Sequence, residues 1–137
     1  MITENIQTVQ DLKNIHFTTL EWKSSLEFIS DEAQFINQLL NSYVFEPNTP
    51  NLFERLQEFK EELSVLENDL IILHEHIRSQ ENKLGGMLEC DTISCDEVYL
   101  KSIQLLEDEI ITFDKKFKSL KSRVFRYAGS ILKNKKK

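Results

Sequence analysis

The chain has 137 residues, 40% apolar and 29% charged, with a formal net charge of −6. That length suits one domain of ordinary size, the acidic balance argues against wholesale nucleic-acid binding, and two cysteines, Cys90 and Cys95, are too few for a disulfide scaffold. With 3 glycines and 2 prolines against many Glu, Lys, Leu and Ile, the composition points to helices.

Met1 to Gln10 contains Glu4 and no apolar core, so no secretory signal is read there. The longest aliphatic run, Leu70-Ile71-Ile72-Leu73, is far short of a membrane span, and the cytoplasm is the expected location. Residues 1–8 carry little pattern. From Leu12 an apolar seam follows: Leu12, Ile15, Thr19, Trp22, Leu26, Ile29, Ala33, Ile36, Leu40 and Tyr43. The steps alternate three and four, which is the heptad repeat of a helix with one buried stripe, and Thr19 is its clearly polar member. Thr8 with Asp11 is a plausible start signal. Phe28, Phe35 and Leu39 widen the stripe beyond the needs of a two-stranded coiled coil, so each helix is expected to have two neighbours.

Pro47 and Pro50 break the pattern, because a proline in a helix interior removes a hydrogen bond and clashes with the preceding turn. Thr49 before Pro50 reads as an N-cap followed by proline at the first helical position. The second seam is Leu52, Leu56, Phe59, Leu63, Leu66, Leu70, Leu73, Ile77, Gln80 and Leu84, with Gln80 its one polar slot. Gly85-Gly86 weakens the second helix and reads as its stop, with Met87 or Leu88 able to extend it by a turn, and Ser94-Cys95-Asp96-Glu97 fits a capping box. The third seam is apolar throughout: Tyr99, Ile103, Leu106, Ile110, Phe113, Phe117, Leu120, Val124, Tyr127 and Ile131. The sequence therefore predicts an all-α, antiparallel, up-down-up three-helix coiled-coil bundle. One domain, 1–137, holds helices over about 9–45, 50–86 and 95–132, with a basic tail at 133–137.

His16-Phe17, Trp22 and Leu26-Glu27-Phe28 give the first helix a resemblance to the opening helix of small uncharacterised bacterial coiled-coil proteins. That family has no assigned activity, so the resemblance implies no site. The length and the first-helix tryptophan are also similar to spectrin-type repeats, which occur in tandem with continuous linking helices; here there is one copy.

Charge is strongly polarised. Residues 115–137 hold ten basic and no acidic residues, whereas residues 1–114 hold 7 basic against 23 acidic, a net of −16. Lys118, Lys121, Arg123, Arg126, Lys133, Lys135, Lys136 and Lys137 are thus candidate ligands for nucleic acid or an anionic membrane surface. The competing expectation is internal balance. An up-down-up topology sets this stretch beside Glu54, Glu58, Glu61 and Glu62 of the second helix and near Glu27, Asp31 and Glu32 of the first. Thr19 and Gln80 are expected about one layer apart, where they either fix register or line a polar pocket. His16, His74 and His76 lack the Glu-x-x-His pairs of bundle di-metal sites, and Cys90 and Cys95 lack a C-x-x-C spacing, so no metal, cofactor or redox centre is expected.

With no phosphate loop and no nucleophile elbow, the sequence predicts a protein that is not an enzyme and acts by binding. The expected partner is another protein or a second copy of the chain. It would be docked through a patch of Phe45, Phe53 and Phe125, which lie off the seams. The alternative partner is a nucleic acid or anionic membrane surface held by the basic end.

Overall fold

The computed structural model describes residues 2–87 and 93–133. Three helices account for most of them: α1 (Ile2–Leu40), α2 (Leu52–Met87) and α3 (Ile93–Ser130). The protein is an all-α three-helix bundle, with no strand among the described residues.

Long helices touch only what lies beside each stretch of them, and the chain divides into two compact units. One comprises Met1–Glu27 and Ile71–Ile111. Its core holds Leu26 of α1, Leu73 and Ile77 of α2, and Leu106 and Ile110 of α3. Buried Tyr99 packs there against Ile15, Leu84 and Ile103, one partner from each helix. Burial pushes the Tyr99 hydroxyl above the usual phenol range. Gln80 pairs with Ser102 and His76 with Glu109, so α2 numbers fall as α3 numbers rise and the two helices are antiparallel.

The other unit comprises Phe28–Leu70 and Thr112–Lys137. Ile36, Leu40, Phe59, Leu63, Phe117, Leu120 and Val124 are almost wholly buried in it. Glu32 meets Lys121 and Phe35 meets Phe125, so α1 and α3 run in the same direction; Glu62 meets Arg123 and Phe59 meets Tyr127, so α2 runs against them. Each buried seam side chain contributes ~1.5–3 kcal/mol. Chain ordering, at ~1–2 kcal/mol per residue, cancels most of it.

Among the described residues, every buried side chain except Phe45 and Ala128 occupies a predicted seam slot. The two polar slots are both buried, but they do not bond to each other. Thr19 Oγ1 donates to the Ile15 carbonyl of its own helix at 2.8 Å, and Gln80 Oε1 accepts from Ser102 Oγ of α3 at 3.2 Å. Each is satisfied separately, which removes the chief cost of a buried polar group.

The helix limits differ from expectation for identifiable reasons. α1 begins at Ile2 rather than near residue 9, since no glycine or proline interrupts the backbone there. It ends at Leu40, not 45: Asn41 Nδ2 takes the Asn37 carbonyl at 2.8 Å and Ser42 Oγ takes the Leu39 carbonyl at 2.7 Å, closing the last turn. Tyr43, the tenth slot of the first seam, is therefore outside the helix and 89% exposed. α2 starts at Leu52 and not at Pro50. Thr49 is not its cap: the Thr49 hydroxyl donates to the Glu46 carbonyl, and the Asn51 carbonyl accepts the first helical bond, from Arg55, at 2.9 Å. Asn51 has φ 58°, a left-handed conformation asparagine tolerates. α2 ends at Met87, just past Gly85-Gly86 and within the extension expected there; helical glycine costs ~1 kcal/mol but keeps its N–H. α3 begins at Ile93, so Ser94 lies inside its first turn rather than before it, and the helix ends at Ser130 instead of 132. Cys90 lies outside the described residues.

Tyr127 packs its ring on Phe59 at 5.8 Å, but its hydroxyl is buried without a hydrogen-bond partner among the described residues. Tyr127→Phe removes that unpaired group and keeps the ring. It should stabilise the protein by ~1 kcal/mol, read as a higher midpoint in urea unfolding with an unchanged slope; a lower midpoint would show that the hydroxyl has a stabilising partner.

Candidate functional site

Three cations of the basic stretch of α3 are paired with carboxylates. Arg123 makes a two-pronged contact with Glu62 of α2, Nη1 to Oε2 at 3.0 Å and Nη2 to Oε1 at 2.8 Å. Lys121 reaches Glu32 of α1 at 2.8 Å, and Lys118 reaches Asp114 of its own helix at 2.9 Å. The Arg123 hydrogen bonds hold the Glu62 carboxyl below the ordinary glutamate value, and Glu62 in turn raises Arg123. The hydrogen bond from Lys118 to Asp114 raises Lys118. Of the acidic residues expected opposite α3, Glu62 and Glu32 are in contact with it; Glu58 pairs instead with Arg55 at 2.9 Å, and Glu61 accepts from Gln57. Arg126 and Lys133 are exposed and form no ion pair among the described residues. Lys135, Lys136 and Lys137 lie outside the described residues.

Of the three aromatic residues proposed from sequence as a docking patch, Phe45 and Phe53 line one cleft and Phe125 is not among its lining residues. Phe45 is only 4% exposed, because the chain after α1 turns inward and pairs with the chain after α3. The Glu46 N–H donates to the Ile131 carbonyl and the Lys133 N–H to the Val44 carbonyl, both at 2.7 Å. Phe125 leans on Phe35 with ring centroids 6.3 Å apart. Phe53 is 82% exposed on the first turn of α2.

Two surfaces emerge instead, both inside the second unit. The first is the aromatic face of α1, where Phe28 and Phe35 are 64% and 56% exposed. Seven residues is close to two helical turns, so both side chains lie on one side of α1. The second is a cleft of about 420 Å³ at the first connection. Its floor is Leu40, Phe45, Leu52 and Leu56, its walls include Tyr43 and Phe53, and Lys60 and Lys133 stand at its rim. The cleft thus unites Phe45, Phe53 and Lys133, which the sequence placed in two separate sites, and adds Tyr43 and Lys60, which it placed in none. The sequence signal for it was the Pro47–Pro50 break next to an aromatic seam residue.

His76 Nδ1 lies 3.2 Å from Glu109 Oε1, and His16 is exposed. Among the described residues no three His, Cys, Asp or Glu side chains are grouped to hold an ion, and no helix is long and apolar enough to cross a membrane. No protein-family model matches the chain, and comparison with curated proteins and with solved structures gave no match.

The Glu62–Arg123 pair makes stability depend on acid. Both side chains are more than a third exposed, so solvent screening limits the pair to ~0–1 kcal/mol. Glu62 titrates lower in the folded state than unfolded, so its contribution is present above the ordinary glutamate range and is lost as pH falls through the depressed value. Arg123→Gln should lower the melting temperature at pH 7, and the gap from wild type should close as pH falls below the ordinary glutamate range. A gap that stays constant across that range would exclude the ion pair as its cause.

Proposed function

We propose that this protein is a non-enzymatic interaction module that docks another protein, or a second copy of itself, through the aromatic face of α1. The observation that carries this is the exposure of Phe28 and Phe35 beside a seam already filled by Leu26, Ile29, Ala33 and Ile36. Neither ring occupies a seam slot, although Phe35 leans on Phe125, and large apolar groups left together on a surface are what protein interfaces bury. The internal pairing of Lys121 and Arg123 supports the same choice, because it neutralises part of the basic stretch. The cytoplasm is the compartment we assign, from cysteine usage that provides no disulfide framework.

Arg126 and Lys133, exposed and unpaired among the described residues, favour the second reading, an anionic partner held by the basic end. Salt separates the two. Protein docked on Phe28 and Phe35 should stay bound at about 1 M salt, where charges are screened beyond ~3 Å. It should be lost with Phe28→Ser/Phe35→Ser and kept with Lys118→Glu/Arg126→Glu. Self-association would be seen by sedimentation as a dimer that the serine variant converts to monomer. A partner released by salt and by the charge reversals, and indifferent to the serine variant, would overturn docking on α1 in favour of an anion-binding role.

A further inference from the structure

We infer that the cleft at the first connection receives a short segment of a partner protein that presents an apolar side chain flanked by carboxylates. The inference rests on the docking role proposed above and assigns it a second, chemically defined contact. The cleft floor is made of buried Leu40, Phe45, Leu52 and Leu56, so it matches an apolar anchor. Tyr43 and Phe53 wall it while remaining 89% and 82% exposed, an arrangement that leaves two aromatic rings ready to cover an incoming side chain.

Charge selects the flanks. The protein has 23 acidic residues, yet among the described residues no Asp or Glu lines this cleft, and its rim carries Lys60 and Lys133. Among the described residues neither lysine is in an ion pair. A segment with carboxylates on either side of its anchor would meet both ammonium groups at the surface, where the pairs set orientation and association rate and together add to affinity.

The shape favours a peptide over a lipid. At about 420 Å³ the cleft has room for a large side chain and adjoining backbone. Small-molecule sites cover ~70–90% of their ligand, whereas these walls are themselves mostly in water and cannot enclose an acyl chain. The site is also held in place before binding. The paired bonds Glu46–Ile131 and Lys133–Val44, each 2.7 Å, fix the backbone of the connection and set Lys133 beside it, so the backbone needs little ordering on association.

The test is fluorescence anisotropy on the full chain with a labelled peptide in which Leu-Phe is flanked on each side by two Asp. Saturable binding is expected. Replacing the peptide's Asp by Asn, or its Leu-Phe by Ala-Ala, should weaken it at least about tenfold. Phe53→Ser and Lys60→Glu/Lys133→Glu should do the same, with melting curves matching wild type because these side chains lie at the surface. Phe28→Ser/Phe35→Ser should bind the peptide as wild type does, so failure of the cleft and failure of the α1 face are separate results. The inference is overturned if the peptide shows no saturation, if the Asn peptide or the Phe53→Ser protein binds equally well, or if sodium decanoate alone occupies the cleft and expels the peptide.

Discussion

A heptad stripe leaves one face of a helix apolar along its whole length, and no single helix can hide it from water. Three such stripes in one chain must therefore cover one another. In both units, apart from the separately hydrogen-bonded Thr19 and Gln80 of the first, the buried slots are filled by aliphatic and aromatic side chains, from Leu26 and Ile77 in the first to Phe59 and Phe117 in the second. Because each stripe is answered internally, apolar side chains off the stripes can be interpreted. Phe28, Phe35 and Phe53 are large and exposed, and they are not needed to complete any seam.

The charges are subordinate to that packing. The last 23 residues of the chain carry ten cations, but what matters is how near each one lies to a carboxylate, since exposed charges more than ~8 Å apart are screened at physiological salt. Arg123 and Lys121 meet Glu62 and Glu32 directly, on α2 and α1 respectively, so α3 is fastened to both neighbours by contacts shorter than any Debye length. Arg55 adds to the same region by lying 4.6 Å over the Phe59 ring, where its guanidinium covers the Phe59–Tyr127 pair. Such contacts tune a topology that the seams already require.

Seam periodicity made the core legible residue by residue, because spacing along a helix translates directly into a face. The errors fall where local chemistry competes with that periodicity. Tyr43 continues the first seam in sequence, yet Asn41 and Ser42 have already capped the helix, so it emerges in the connection. Phe45 looked like surface because it is off the seam, but the backbone pairing with Leu132 carries it inside. The cleft was invisible for a different reason: it joins the end of α1, the start of α2 and a residue after α3, a meeting that no single window of sequence contains.

The central claim is that the seams hold this fold and that the exposed aromatics are surplus to it. Urea unfolding of two variants tests that directly. Phe28→Ser/Phe53→Ser should retain wild-type stability to within ~0.5 kcal/mol, as surface substitutions do. Phe59→Ala, which empties a fully buried seam slot, should lose ~3–5 kcal/mol. A loss from the serine variant comparable to that from Phe59→Ala would contradict the account and place Phe28 and Phe53 among the residues that hold the fold.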